Sequence, residues 1–184
     1  MGDTRLVLSR ELTLEPTPSR TAAFEKNDSK RFAVLLDNIR SAWNVGSIFR
    51  SADGFGFAHA YLCGITPTPD IEAVTKTSLG AEDSVPWSYH RDAVKLVNGL
   101  KKEGWKIWAL EECDGATSIT RVAIPKSNKP IVLVAGSEVT GVDPELLKLA
   151  DKIFYIPMRG EKKSFNVAMA FSIAAFALRE KQTD

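Results

Sequence analysis

Beyond Arg31 the chain alternates between short, almost uninterrupted apolar runs and stretches in which apolar residues recur every three or four positions. The runs are FAVLL (32–36), AYLCGI (60–65), VPWSY (85–89), WKIWAL (105–110), PIVLVAG (130–136) and KIFYIPM (152–158). Their continuity, in place of strict alternation, predicts strands covered on both faces. Between them Val45, Ile48, Phe49 and Ala52 follow a 0, 3, 4, 7 spacing, as do Ala93, Leu96, Val97 and Leu100, and each set predicts an amphipathic helix. Asp143 followed by Pro144 predicts a short capped helix over 144–150. A last helix, from about Asn166 to Arg179, is apolar nearly all round. A helix without a polar face is predicted to be buried, in a core or against a second subunit.

This order of strands and helices predicts an α/β domain with a mostly parallel sheet flanked by helices, whose ligand sites lie beyond the carboxyl ends of the strands. Residues 1–30 break the pattern, with Thr, Pro, Ser and charges and few apolar positions. They read as an N-terminal extension to one domain spanning 31–184. The length of 184 residues and a hydrophobic content of 44% suit one domain with a sizeable core and are too small for two.

The formal net charge of +1 removes any global basic field, so contact with a nucleic acid has to come from local patches or a partner chain. No run reaches the roughly 18 apolar residues of a membrane span, and the N-terminal residues carry no signal-like stretch. Leu6 stands where a lipidated Met-Gly start would want Ser or Thr. The expected location is the cytoplasm. Cys63 and Cys113 lack metal-ligand spacing, so both read as reduced thiols and no metal is expected.

Three loops carry candidate chemistry. DNIRSAWNVGSIFRSADGFG (37–56) leads from the first strand into the first helix. There Asn44 suits a helix cap, Gly46 permits close approach of another backbone or a ligand, and Arg50 lies opposite the apolar stripe. LVAGSEVTGVDPELLKLAD (133–151) ends a strand in Gly136 and Gly141, flanking Ser137, Glu138 and Thr140. It matches neither GxxxxGK[ST] nor GxGxxG, which counts against a nicotinamide-dependent oxidoreductase. IPMRGEKKSFNVAMA (156–170) passes from an apolar strand into Arg159, Lys162 and Lys163, then to Ser164 and Asn166, either of which can cap the last helix. Singly, these are a capped helix, a glycine turn and a solvated basic loop. At the strand ends of one sheet they suggest a shared site.

Together the three segments resemble the three motifs of the SpoU, or TrmH-like, branch of the SPOUT superfamily of RNA methyltransferases. Asn44, Gly46 and Arg50 match the first motif; Gly136, Glu138 and Gly141 the second; Pro157, Gly160, Ser164, Asn166 and Val167 the third. Ser137 departs from a frequent Asn and Phe165 from a frequent Leu. The resemblance implies an α/β domain with a C-terminal trefoil knot, an exception to the rule that chains avoid knots. It also implies S-adenosylmethionine bound in the knot and a homodimer whose interface takes up the apolar last helix. The implied reaction is methyl transfer to a ribose 2′-hydroxyl of RNA.

The resemblance further implies roles for single residues. Arg50 would be catalytic; a guanidinium with a pKa above about 12 is a poor proton acceptor, so a fitting role is to bind the adjoining phosphate and stabilise the developing alkoxide. Asn44 would orient Arg50 or the ribose, Ser164 and Asn166 would complete the methyl-transfer site, and Glu138 would hold loop geometry or pair with a cation. The cofactor would rest on backbone groups around Leu110, Gly136, Ile156 and Met158, with Ser164 and Phe165. RNA contacts would come from Arg40, Arg50, Arg159, Lys162 and Lys163. With no appended RNA-binding domain visible, a tRNA is favoured over an rRNA. The competing expectation is a non-catalytic RNA-binding or assembly factor that has kept the fold.

Overall fold

The computed structural model describes residues 32–125 and 129–181, so the expected extension over 1–30 lies outside the described residues. Seven strands form one sheet: β1 (Phe32–Asp37), β2 (His59–Cys63), β3 (Trp87–His90), β4 (Lys106–Leu110), β5 (Thr117–Ser118), β6 (Ile131–Ala135) and β7 (Lys152–Tyr155). Their order is β3-β2-β1-β6-β4-β7-β5 and every pairing is parallel. β6 therefore enters between β1 and β4, and β7 between β4 and β5.

The helices are α1 (Ala42–Gly54), α2 (Glu72–Ser78), α3 (Ala81–Ser84), α4 (Ala93–Lys102), α5 (Pro144–Leu149) and α6 (Val167–Glu180). Strand side chains alternate between faces, so Phe32, Val34 and Leu36 of β1 join the core with residues of α1 and α6. Ala33 and Leu35 join the opposite core with Val97 of α4 and Leu146 of α5. Both faces are covered, which is why the strands read as continuous apolar runs. Each fully buried Leu or Phe side chain contributes about 1.5–3 kcal/mol.

Three sequence expectations are corrected. Ser41, not Asn44, caps α1: its hydroxyl accepts from the Asn44 backbone N–H at 3.4 Å, which leaves the Asn44 side chain for other partners. The VPWSY strand starts later, at Trp87, and the KIFYIPM strand stops at Tyr155, two residues before Pro157, which has no N–H to give a ladder. The last helix buries Ala168, Phe171, Ala174, Ala175 and Leu178 in the core and leaves Met169 57% and Phe176 54% exposed on its other face. α2, α3 and β5 were not foreseen. Gly46 sits where α1 meets α2: a Cβ there would lie 2.0 Å from Thr77 Oγ1 and 2.4 Å from the Val74 carbonyl oxygen, so the close approach is one of backbones.

Among the described residues no helix is long and apolar enough to cross a membrane, and no group of three His, Cys, Asp or Glu side chains is placed to hold a metal ion.

Candidate active site

The carboxyl ends of β1, β6 and β7 deliver the three loops to one side of the sheet. After β6 the chain makes a tight turn, closed by hydrogen bonds from Ser137 N to the Gly141 oxygen (3.0 Å) and from Gly141 N to the Ser137 oxygen (2.9 Å). Gly136 is packed against the far limb of this turn; a Cβ would lie 2.2 Å from the Val142 nitrogen, a backbone atom that cannot swing away. Gly141 has a φ of 72° and its missing side chain leaves room for the Glu111 carboxylate, which accepts from Val142 N at 2.8 Å. The turn thus aims Glu138 out of the sheet toward the start of α1.

Glu138 is met there by amides. Its Oε2 accepts from Arg40 N (2.9 Å), and its Oε1 accepts from Ser41 N (3.1 Å) and from Asn44 Nδ2 (2.8 Å). Asn44 Oδ1 in turn accepts from Asn166 Nδ2 at 3.0 Å. Asn166 caps α6, its Oδ1 accepting from Ala168 N (3.0 Å) and Met169 N (3.4 Å). One unbroken chain of hydrogen bonds therefore joins all three loops. Burial pushes the Glu138 pKa up, but the N–H donors of Arg40, Asn44 and Ser41 outweigh it and hold the carboxyl below its ordinary value. Among the described residues, Glu138 is an anion fixed by amides and not by a cation.

Beside this chain lies a cavity of about 410 Å3 at the ends of β4, β6 and β7. Leu110, Gly136, Ile156, Ser164 and Phe165 line it, with Glu138, Asn166 and Lys163. Met158 does not. Arg159 and Lys162 are exposed outside it, and Arg40 joins the site only through its backbone N–H. Arg50 also stands outside the lining, exposed on α1, on the face it shares with Trp43 two turns earlier. Sequence reasoning missed Glu111 and Glu112, which line the cavity just beyond Leu110. Their position immediately after a parallel strand was the available signal.

Residues 31–176 match the SpoU rRNA Methylase family. The chain is 29% identical over 171 residues to the tRNA (guanosine(18)-2′-O)-methyltransferase of Thermus thermophilus, covering 91% of this chain and 86% of that one. It is 30% identical over 173 residues to the 23S rRNA (guanosine(2553)-2′-O)-methyltransferase of Bacillus subtilis, covering 91% and 68%. Among solved structures it resembles a TrmH/SpoU tRNA modifying enzyme of A. aeolicus, at a TM-score of 0.75 and 27% identity, over 84% of this chain and 76% of the other. It also resembles an AdoMet-bound rRNA methyltransferase of Sinorhizobium meliloti, at a TM-score of 0.75 and 27% identity, over 82% and 56%. The matched residues take in the whole hydrogen-bonded chain from Arg40 to Asn166 and the lining of the cavity beside it, and the protein belongs to the SpoU methylase family.

Proposed function

We propose that the protein transfers a methyl group from S-adenosylmethionine to a ribose 2′-hydroxyl of RNA, and that the RNA is a tRNA. The observation that carries this reading is the chain Glu138–Asn44–Asn166, which ties three separate loops together beside one cavity. A volume of about 410 Å3 falls in the range of about 300–1,000 Å3 typical of small-ligand sites. The residues present suit the cofactor: Leu110, Ile156, Phe165 and Val167 offer apolar walls for a heterocycle, and exposed strand-end backbone offers polar edges. When bound, the cofactor supplies an electrophilic methyl on a sulfonium sulfur.

The protein's own work is positioning, because the transfer needs oxygen, carbon and sulfur in line. Asn44 and Asn166 fix each other's amides, and Ser164 lines the cavity at the head of the same helix. Glu138 holds the first and second loops in register. Arg50 contributes a cation that binds the adjoining phosphate and stabilises the developing alkoxide, with the hydroxyl proton passing to solvent or a phosphate oxygen. Since Arg50 is outside the lining, RNA or a second copy laid over its face has to complete the site. Leu110, Gly136, Ile156, Ser164 and Phe165, which line the cavity, are assigned to the cofactor, with Met158 just beyond the lining, and Arg40, Arg159, Lys162 and Lys163 to RNA phosphates.

Several features support the rest of the reading. Trp43 (57% exposed), Met169 and Phe176 leave apolar surface on α1 and α6, two helices that pack together, and a homodimer would cover it. The late entry of β6 and β7 between earlier strands supports a C-terminal trefoil knot within a domain over 31–184, with 1–30 as an extension. The tRNA preference rests on the relatives, which include the tRNA (guanosine(18)-2′-O)-methyltransferases of Thermus thermophilus and Escherichia coli. The location that follows is the cytoplasm.

Mapping 2′-O-methylation across total RNA from cells with and without the gene tests this. The expected outcome is the loss of one tRNA ribose methyl, restored by the wild type but not by Arg50→Ala. Full restoration by that variant removes Arg50 from the mechanism, and an unchanged methylation map overturns the reading.

A further inference from the structure

Three glutamates, Glu111, Glu112 and Glu138, are among the residues lining the cavity, with a single basic residue, Lys163. Two of the three are held by amides: Glu111 by Val142 N (2.8 Å) and Glu112 N (3.0 Å), and Glu138 by Arg40, Ser41 and Asn44. The Glu112 side chain differs. It is exposed at the rim and, among the described residues, makes no hydrogen bond or ion pair. Nothing in the fold calls for a carboxylate there, and helix capping or turn formation does not use it.

We propose that Glu112 is a specificity-determining residue that reads the charge of the cofactor, favouring the sulfonium form over the spent, neutral thioether form. This rests on the cavity being the S-adenosylmethionine site. The two ligands have nearly the same shape and differ by one methyl and one positive charge on sulfur. Methyl transfer breaks the sulfur–methyl bond and forms the oxygen–methyl bond; the bonding pair stays on sulfur, and the hydroxyl proton leaves. Shape complementarity therefore discriminates weakly, whereas a cavity with an excess of negative charge discriminates by sign. Glu111 and Glu138 add to the field, but their charge is offset by the N–H dipoles they accept from. Glu112 has no such offset. Arg159 and Lys162 lie outside the lining, where solvent ions screen them over about 8 Å at physiological salt. The functional consequence is release: each turnover removes the charge that the rim holds, so the spent cofactor leaves more readily than the fresh one.

Calorimetric titration of the full chain with S-adenosylmethionine and, separately, with S-adenosylhomocysteine tests this without any turnover. Glu112→Gln keeps the shape and removes the charge. It is expected to weaken S-adenosylmethionine about threefold, the scale of an exposed charge pair, and to leave S-adenosylhomocysteine within about 1.5-fold. Lys163→Gln is expected to shift the ratio of the two affinities in the opposite sense, and both shifts should shrink at about 0.5 M salt. Equal weakening of both ligands by Glu112→Gln, or no change in either, overturns the proposal while leaving the cofactor site in place. A wild-type protein that binds neither ligand at millimolar concentration overturns the cofactor reading and this inference with it.

Discussion

The turn after β6 and the basic loop before α6 both belong to the candidate site, and they are built in opposite ways. From Gly136 to Val142 the chain is tied down at several points: two backbone bonds close the turn, Ser137 Oγ accepts from Val139 N, Glu111 holds Val142, and Glu138 holds the start of α1. From Arg159 to Lys163 the side chains are exposed, and among the described residues no ion pair includes them. The first is preorganised, so a ligand binding there pays little ordering entropy. The second presents exposed cations, which under the proposed function suits contacts that position an RNA backbone without reading its sequence.

The sharpest way to break this contrast is Gly136→Ala. Its new methyl would sit 2.2 Å from the Val142 nitrogen, and only a shift of the whole turn can relieve that. A loss of about 3 kcal/mol in unfolding free energy, the upper end of the usual cost of overpacking, is expected by denaturant titration, together with loss of cofactor binding. A variant as stable as the wild type would show that the turn is looser than its hydrogen bonds say.

Glu138→Gln should cost less, about 0.5–1.5 kcal/mol, because an amide offers only one acceptor oxygen to three N–H donors at this solvent-exposed point and sets an NH2 among them. The same carboxylate has a pH signature. Its folded pKa lies below its unfolded one, so its contribution is present at neutral pH and is lost as pH falls through the folded value. Wild-type stability should therefore fall toward the acid side more steeply than that of Glu138→Gln, measured by thermal melts across the carboxylate range. Parallel profiles would mean that Glu138 is not the group titrating.

Lys162→Ala should change least. Cofactor affinity and stability should stay within about 0.5 kcal/mol, as for most exposed sites. RNA affinity should fall a few-fold and the salt dependence of binding should flatten by about one counterion. A drop in cofactor affinity would move this lysine into the preorganised part of the site.

The same contrast explains what was legible in the sequence. β1, β6 and the helices over Val45–Ala52 and Ala93–Leu100 are visible because both faces of the sheet are covered and the apolar residues keep period. α2 and α3 are too short to show a period, and β5 is two residues long. The cap of α1 was misplaced because Ser41 and Asn44 are both good capping residues, and only the route of the chain out of β1 decides between them. At the site, Asn44, Glu138 and Asn166 stand out as residue types, but their partnership spans 94 and 122 positions and leaves no local pattern. Glu111 and Glu112 follow the apolar run that ends at Leu110, and nothing else local marks them until the cavity is seen.

The strand order has a consequence in time. β6 pairs with β1 and β4, and β7 with β4 and β5, although all three of those partners precede them in the chain. During synthesis, β1 and β4 must therefore wait with facing edges unpaired until residues near Ile131 emerge, and the gap beside β4 stays open until Lys152. Such long-range, all-parallel closure is slow, and exposed edges meanwhile invite pairing with other chains. Asn44 is synthesised early, Glu138 late and Asn166 later still, so the hydrogen-bonded chain that joins the three loops closes only once the head of α6 is in place.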